Sequence, residues 1–238
     1  MKTQKCLRIS ASKKTSISFV VFSTILLVSF SIFADKEGAD RDLFTIAQIH
    51  YHGGGDWYQD RTSMPRLQKR FEQLFGIPAM DKRVEIELTD DDLFSYPMLF
   101  MTGHGNIVFS PEEAARLRQY LMQGGFLWAS DDYGMDTAFR REMKKVFPDR
   151  DLVELPFDHE IYHIFYDFPK GLPKIHEHAG GPPHGYGVFI GDRLAVFYDF
   201  NTDIGDGLEA PSIHNDPEEK REDAFRMAIN IVLYAIKN

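Results

Sequence analysis

Cysteine is all but missing from this chain of 238 residues: Cys6 is the only one. A disulfide framework or a thiolate metal site needs several, so both are excluded. Cys6 lies in the N-terminal segment, and if that segment is removed a cysteine nucleophile is excluded as well. Repeats and low-complexity tracts are also missing after residue 35. Positive charge is scarce in the body of the chain. Lys2, Lys5, Arg8, Lys13 and Lys14 are the only charges in the first 34 residues. Setting them aside leaves 22 Lys and Arg against 36 Asp and Glu, a net charge of −14. A nucleic-acid partner needs a basic stripe, so this body has the wrong sign for one. What is present is an ordinary globular composition, 43% hydrophobic and 13% aromatic, in a length that suits one domain.

The basic start is followed by an apolar run, Ile17 to Ala34, broken only by Ser and Thr, and then by Asp35-Lys36-Glu37. That order reads as a secretory signal ending at Ala34, and it predicts export to the periplasm or cell envelope, or secretion. The alternative is an uncleaved N-terminal anchor, for which 18 residues is at the short end, and which would be the only membrane contact. Residues 35–41 then form a short linker and 42–238 a single domain.

From residue 42 onward, short apolar runs alternate with amphipathic stretches. Leu43–Ile49, Met98–Thr102 and Phe126–Ala129 suit strands covered on both faces. Val84–Leu88 and Leu152–Leu155 are shorter candidates. Leu67, Phe71 and Leu74 recur at helical spacing, as do Ala114, Leu117 and Leu121, then Phe139, Met143 and Val146, then Phe225, Ile229, Val232 and Ile236. Ser110-Pro111-Glu112-Glu113 carries the signature of a capping box. Val188–Ile190, Gly191-Asp192 and Leu194–Phe200 read as a hairpin with glycine first in a two-residue turn. Alternating strand and helix predicts an α/β fold, a three-layer sandwich around a mostly parallel sheet, with a β-hairpin and a C-terminal helix. Ligands in such folds sit beyond the carboxyl ends of the strands. The loops there are 50–62, 102–109, 130–136, 156–187 and 200–215.

Those loops, or the strand ends beside them, hold all nine histidines, and none falls in the four amphipathic helices. His52, Gly54, Asp56 and Trp57 lie in the first loop. A glycine run permits close backbone approach or is a flexible turn. Trp57 either stacks on a sugar or packs the loop onto the core. Gly103-His104-Gly105-Asn106 places a histidine at a strand end, as a base, a metal ligand or a structural group. Ser130-Asp131-Asp132 is the sharpest feature. Two adjacent carboxylates at the end of a buried strand suit a general base, a metal ligand or a phosphate acceptor, while one of them is expected to cap the next helix. His159 and His163 would share a face of a helix and reach one metal. His176 and His178 would point the same way on a strand, although the nearby Gly180-Gly181-Pro182-Pro183 argues for a loop. Asn201, Asp203, Asp206 and His214 follow the hairpin.

Tyr51-x-Gly53-Gly54-Gly55-Asp56-Trp57, with Tyr96-Pro97, Gly103-His104, Gly124-Gly125-Phe126-Leu127 and Asp131-Asp132, resembles the bacterial family called domain of unknown function 4159. The resemblance runs over about residues 42–236. It implies a flavodoxin-like fold of the class I glutamine amidotransferase-like group. In the amidotransferases a cysteine nucleophile stands at the turn that here holds Ser130-Asp131, so thiol-based glutamine hydrolysis is excluded. Asp131, His104 and Ser130 are the candidate catalytic residues. His52, Gly54, Asp56, Trp57, Asn106, Asp132, His159, His163 and Asn201 are the candidate ligand-binding residues. The residues alone assign neither a metal nor a cofactor.

Three functions remain, in this order. The first is an exported binding or scaffold domain that takes a small polar ligand. The second is an exported hydrolase, with or without a metal, using Asp131 with His104, His159 or His163. The third is an interaction module of an envelope assembly.

Overall fold

The computed structural model describes residues 43–176 and 178–237. The leader and linker readings, residues 1–34 and 35–41, lie outside the described residues. Seven strands form one sheet in the order β2-β1-β3-β4-β7-β6-β5. They are β1 (Ile46–Ile49), β2 (Val84–Ile86), β3 (Met98–Met101), β4 (Phe126–Ser130), β5 (Val153–Glu154), β6 (His184–Ile190) and β7 (Arg193–Phe200). Strands β2, β1, β3, β4 and β7 are mutually parallel, and β6 runs antiparallel to both β7 and β5.

The apolar runs become central strands because both of their faces are covered. β1, β3 and β4 are buried at every position. Alternate residues feed two separate cores. On one face Ile46, Met98, Phe100, Phe126 and Trp128 pack against helix α1 (Ser63–Phe75) and the long helix α6 (Glu218–Lys237). On the other face Ala47, Leu99, Met101, Leu127 and Ala129 pack against α2 (Pro111–Met122) and α3 (Asp136–Val146). The architecture is therefore α/β, with a mostly parallel mixed sheet between two helical layers. Among the described residues no helix is long and apolar enough to cross a membrane.

The local signals act where the sequence places them. Gly76 closes α1 in the left-handed region. At α2 the Ser110 side chain accepts the Glu113 N–H, and the Glu113 carboxylate accepts the Ser110 N–H. The β6–β7 turn is Gly191-Asp192, with Gly191 at φ +62°.

Two readings need correction. The loop 156–187 carries regular structure, because Glu160–Tyr162 makes a 3-10 turn and β6 already begins at His184. The 200–215 loop contains two short helices, α4 (Ile204–Leu208) and α5 (Pro211–His214). Neither shows an amphipathic period in sequence, since five and four residues are too few to display one.

The capping box yields a stability prediction. Ser110→Ala removes a hydrogen bond to an otherwise orphaned N–H and should cost about 1 kcal/mol. A urea titration reads it, and an unchanged midpoint would show that the cap contributes nothing.

Candidate functional site

The carboxyl ends of β1, β3, β4 and β7 meet at one end of the sheet, and a dense group of carboxylates and imidazoles collects there. Buried Gln48 on β1 donates to the Trp57 and Gln59 carbonyls and so fixes the loop that ends in Asp60. Thr102 follows β3, and Asp132 follows β4. After β7, Thr202 accepts the Ile175 and His176 N–H groups, which ties down the loop carrying His176 and His178. Helix α4 brings Asp206, Glu209 precedes α5, and His214 ends α5. Glu209 also takes the Thr62 N–H at the start of α1.

Asp60, Asp132, Asp203, Asp206 and Glu209 are each no more than 7% exposed. The described ion pairs of these five carboxylates are with histidine alone. His178 Nε2 lies 2.9 Å from Asp203 Oδ2 and 4.0 Å from Asp206 Oδ2. His214 Nε2 lies 3.0 Å from Asp206 Oδ1 and 2.9 Å from Glu209 Oε2. Three groups place one ligand atom per residue within 4.8 Å of one another: His176, His178 and Asp206; Asp206, Glu209 and His214; Asp60, Asp132 and Asp206.

Electrostatics makes this arrangement costly without positive charge. Burial pushes the carboxyls of Asp60, Asp132 and Asp203 well above their ordinary range, and the neighbouring carboxylates push them further. Burial pushes His178 down, helped by the adjacent imidazoles. Thr102 makes the conflict visible. Its Oγ1 lies 2.6 Å from Asp60 Oδ2 and 2.7 Å from Asp132 Oδ1. A hydroxyl has one hydrogen to donate, so one of these contacts requires a proton on a carboxyl group. The remaining oxygens, Asp60 Oδ1 and Asp132 Oδ2, are buried with no hydrogen-bond partner.

The backbone is bent to hold this group together. Asp60, Asn201 and Asp203 all have positive φ, at 57°, 58° and 65°. Gly205 has no room for a side chain, because a Cβ there would overlap the Asp60 carboxylate. Gly103, at φ +131°, would bring a Cβ to 2.5 Å from the Tyr51 hydroxyl.

The structure brings together some of the expected residues. His104 stands beside the centre, edge-on to His178 at a ring separation of 5.8 Å. Its Nδ1 faces Asp56 Oδ2 at 3.1 Å, and its N–H donates to Asp56 Oδ1. Burial raises the Asp56 carboxyl, but the hydrogen bonds from His104 and Gln59 outweigh it and hold the carboxyl below its usual value. A carboxylate on Nδ1 selects the tautomer that leaves Nε2 free to accept a proton. Beside the acidic group is a cavity of about 260 Å³, lined in part by Asp132, Tyr133, His178, Phe200, Asn201 and Asp203. Asn201 accepts from Lys174 and donates to the carbonyls of residues 180–182, so it pins the loop over the cavity.

Other candidates are placed differently. Asp131 is the helix-side member of its pair. Its Oδ1 accepts the Met135 N–H at the start of α3, and its Oδ2 accepts the Tyr198 hydroxyl. The member turned toward the centre is Asp132, held by Thr102, which reverses the expected emphasis. Ser130 is fully buried, donates to Asp199 Oδ1 and accepts the Gly205 N–H, so its hydroxyl does not reach the cavity. Trp57 stacks on His50 at 4.0 Å with Arg83 over its ring, and packs the loop down. His52 is exposed and bridges to Val108. Gly54 stands in open space at φ +88°. Asn106 braces the loop through the Gly53 carbonyl and Arg141. His159 and His163 lie away from the centre. His159 packs on Phe189 and Tyr234 toward the opposite end of the sheet, and His163 bonds Asp167 and the Phe157 carbonyl. They share no helical face, because the segment makes only a three-residue 3-10 turn.

Asp60, His176, His178, Asp203, Asp206, Glu209 and His214 also stand at the centre, though the sequence did not mark them as site residues. The confinement of histidine to the loops pointed toward His176, His178 and His214. Nothing local marks Asp60 or Glu209.

Residues 45–236 match the family model described as Domain of unknown function (DUF4159), and the chain belongs to that family. No curated protein matches the chain.

Below the site, Asp199 yields a prediction about pH. It is fully buried, bonded to Trp128 Nε1 and Ser130, and burial pushes its carboxyl up to about 7. A raised carboxyl keeps its proton in the folded state. Its stabilising effect is therefore complete below the unfolded value near 4 and is lost as pH rises through about 7. The loss is at most about 4 kcal/mol. Asp199→Asn should flatten the fall in Tm between about pH 5 and about pH 8 relative to wild type. Parallel Tm profiles for the two proteins would refute this.

Proposed function

We propose that this member of the domain of unknown function 4159 family is an exported hydrolase that depends on a divalent cation and acts on a small polar substrate. One observation carries the reading: five buried carboxylates converge with three histidines at the strand ends, with no Lys or Arg among their described ion pairs. This moves the hydrolase ahead of a binding or scaffold domain. A scaffold has no use for a charge conflict of this size, and a cation relieves it.

The donor set fits a first-row divalent ion, for which mixed imidazole and carboxylate ligands are typical. His176 is oriented for that role, since its Nδ1 is held by Asp216 at 2.9 Å and its Nε2 is left for a ligand. When bound, such an ion polarises the scissile group and acidifies a water. The chain supplies the rest. His104, oriented by Asp56, takes the proton from the attacking water at Nε2 and returns it to the leaving group as the scissile bond breaks and the new bond to oxygen forms. The cavity receives the remainder of the substrate. Its lining includes Asp131, Asp132, Asp136 and Asp203 and, among the described residues, no Lys or Arg. That lining suits a neutral or cationic group against the Tyr133 and Phe200 rings.

The flavodoxin-like, amidotransferase-like label is supported by the order β2-β1-β3-β4-β7 of the parallel strands. The chemistry differs from the amidotransferases, because Cys6 is the only cysteine and Ser130 is buried. Export rests on the basic and apolar character of residues 1–34.

The Asp131-Asp132 pair tests the reading. Asp132→Asn should weaken cation binding by more than about 100-fold and abolish hydrolysis of a model ester, amide or phosphoester substrate. Asp131→Asn should keep the cation and lose about 1 kcal/mol of stability with its helix contact. Chelator-stripped protein should gain Tm when Mn²⁺ or Zn²⁺ is returned. Full activity in stripped protein, or in Asp132→Asn, would overturn the proposal.

A further inference from the structure

We propose that the centre holds two divalent cations bridged by the Asp206 carboxylate. This rests on the cation site proposed above and adds its nuclearity. Asp206 is common to all three groups of converging ligand atoms. Its two oxygens face different sides: Oδ1 lies 3.0 Å from His214 Nε2, and Oδ2 lies 4.0 Å from His178 Nε2. A carboxylate that offers one oxygen to each of two imidazoles can bind one ion through each oxygen.

The His214 side has the spacing of adjacent ligands on one ion, and the His178 side is wider, with His178 Nε2 4.0 Å from Asp206 Oδ2. Adjacent ligand atoms at right angles around an ion, with bonds of about 2.1 Å, stand about 3.0 Å apart. On one side His214 Nε2 is 3.0 Å from Asp206 Oδ1 and 2.9 Å from Glu209 Oε2. On the other, His178 Nε2 is 2.9 Å from Asp203 Oδ2, with His176 alongside at a ring separation of 4.7 Å. The protons now bridging these pairs would leave as the cations enter.

Ligand number and charge lead to the same count. Asp60, Asp132, Asp203, Asp206, Glu209 and three histidines exceed the four to six positions of one first-row ion. Five carboxylates carry five negative charges when ionised. One dication leaves three of them uncompensated in a buried site, and two leave one. Asp60 Oδ1 and Asp132 Oδ2 accept no hydrogen bond, the latter having only His104 Nδ1 at 3.9 Å, and they belong to residues only 1% and 2% exposed whose side chains converge on Asp206. They are the independent sign that the interior of the group is built for positive charge. Two such ions would polarise the oxygen of a scissile carbonyl or phosphoryl group and acidify the attacking water. The substrate class that follows is an ester or amide, carboxylic or phosphoric.

The test is Mn²⁺ uptake by the chelator-stripped full chain, with metal analysis and electron paramagnetic resonance. Wild type should bind two Mn²⁺ per chain and show an exchange-coupled spectrum. His214→Ala and His176→Ala should each bind one and give the six-line signal of a single ion, with circular dichroism confirming the fold. One Mn²⁺ in wild type, or two without exchange coupling, would overturn the bridge and leave the single-cation reading standing. No uptake at all would overturn both.

Discussion

Like charge held together out of water is the constraint on which this structure depends. Two carboxylates within 4.8 Å repel by about 3 kcal/mol at an effective dielectric of about 20. The site gathers five of them. Protonation relieves part of the repulsion, as the raised Asp60, Asp132 and Asp203 carboxyls and the single hydrogen of Thr102 both indicate. Such a group disperses unless the scaffold beneath it is rigid. The strands supplying that rigidity are buried on both faces, and their ends are stitched together by Gln48, Ser63, Thr62 and Asn201.

The same constraint explains features that would otherwise look unrelated. Left-handed backbone at Asp60, Asn201 and Asp203, the missing side chain at Gly205 and the loop pinned by Asn201 all serve one convergence. Strain of this kind persists only where surrounding packing over-determines it. Under the proposed cation-dependent hydrolysis, the cavity beside the centre would receive the substrate and His104, oriented by Asp56, would act as the base.

Much of the fold was legible because helix and strand periods are local. Leu67 and Phe71 announce α1, Ser110 and Glu113 announce the start of α2, and the apolar runs announce β1, β3 and β4. The short helices α4 and α5 were not legible, because no period develops in so few residues. At the site, His104, Asp132 and Asn201 could be reached by a general rule about strand ends. His159 and His163 were misplaced because a spacing of four is informative only on a helix, and the chain makes a single 3-10 turn there.

The sequence by itself determined the α/β alternation, the end of the sheet at which polar chemistry gathers and the lack of a cysteine at the turn that holds Ser130. It also led to the expectation that one of Asp131 and Asp132 serves the next helix. Only the tertiary structure decided which one, since that depends on whether Met135 N–H or Thr102 lies within reach. Only the tertiary structure recruited Asp60 from the first loop and Asp206, Glu209 and His214 from segments more than 140 residues away. Periodicity and capping act over a few residues. A buried cluster is assembled through space by strand order, and strand order is set by how two cores pack at once.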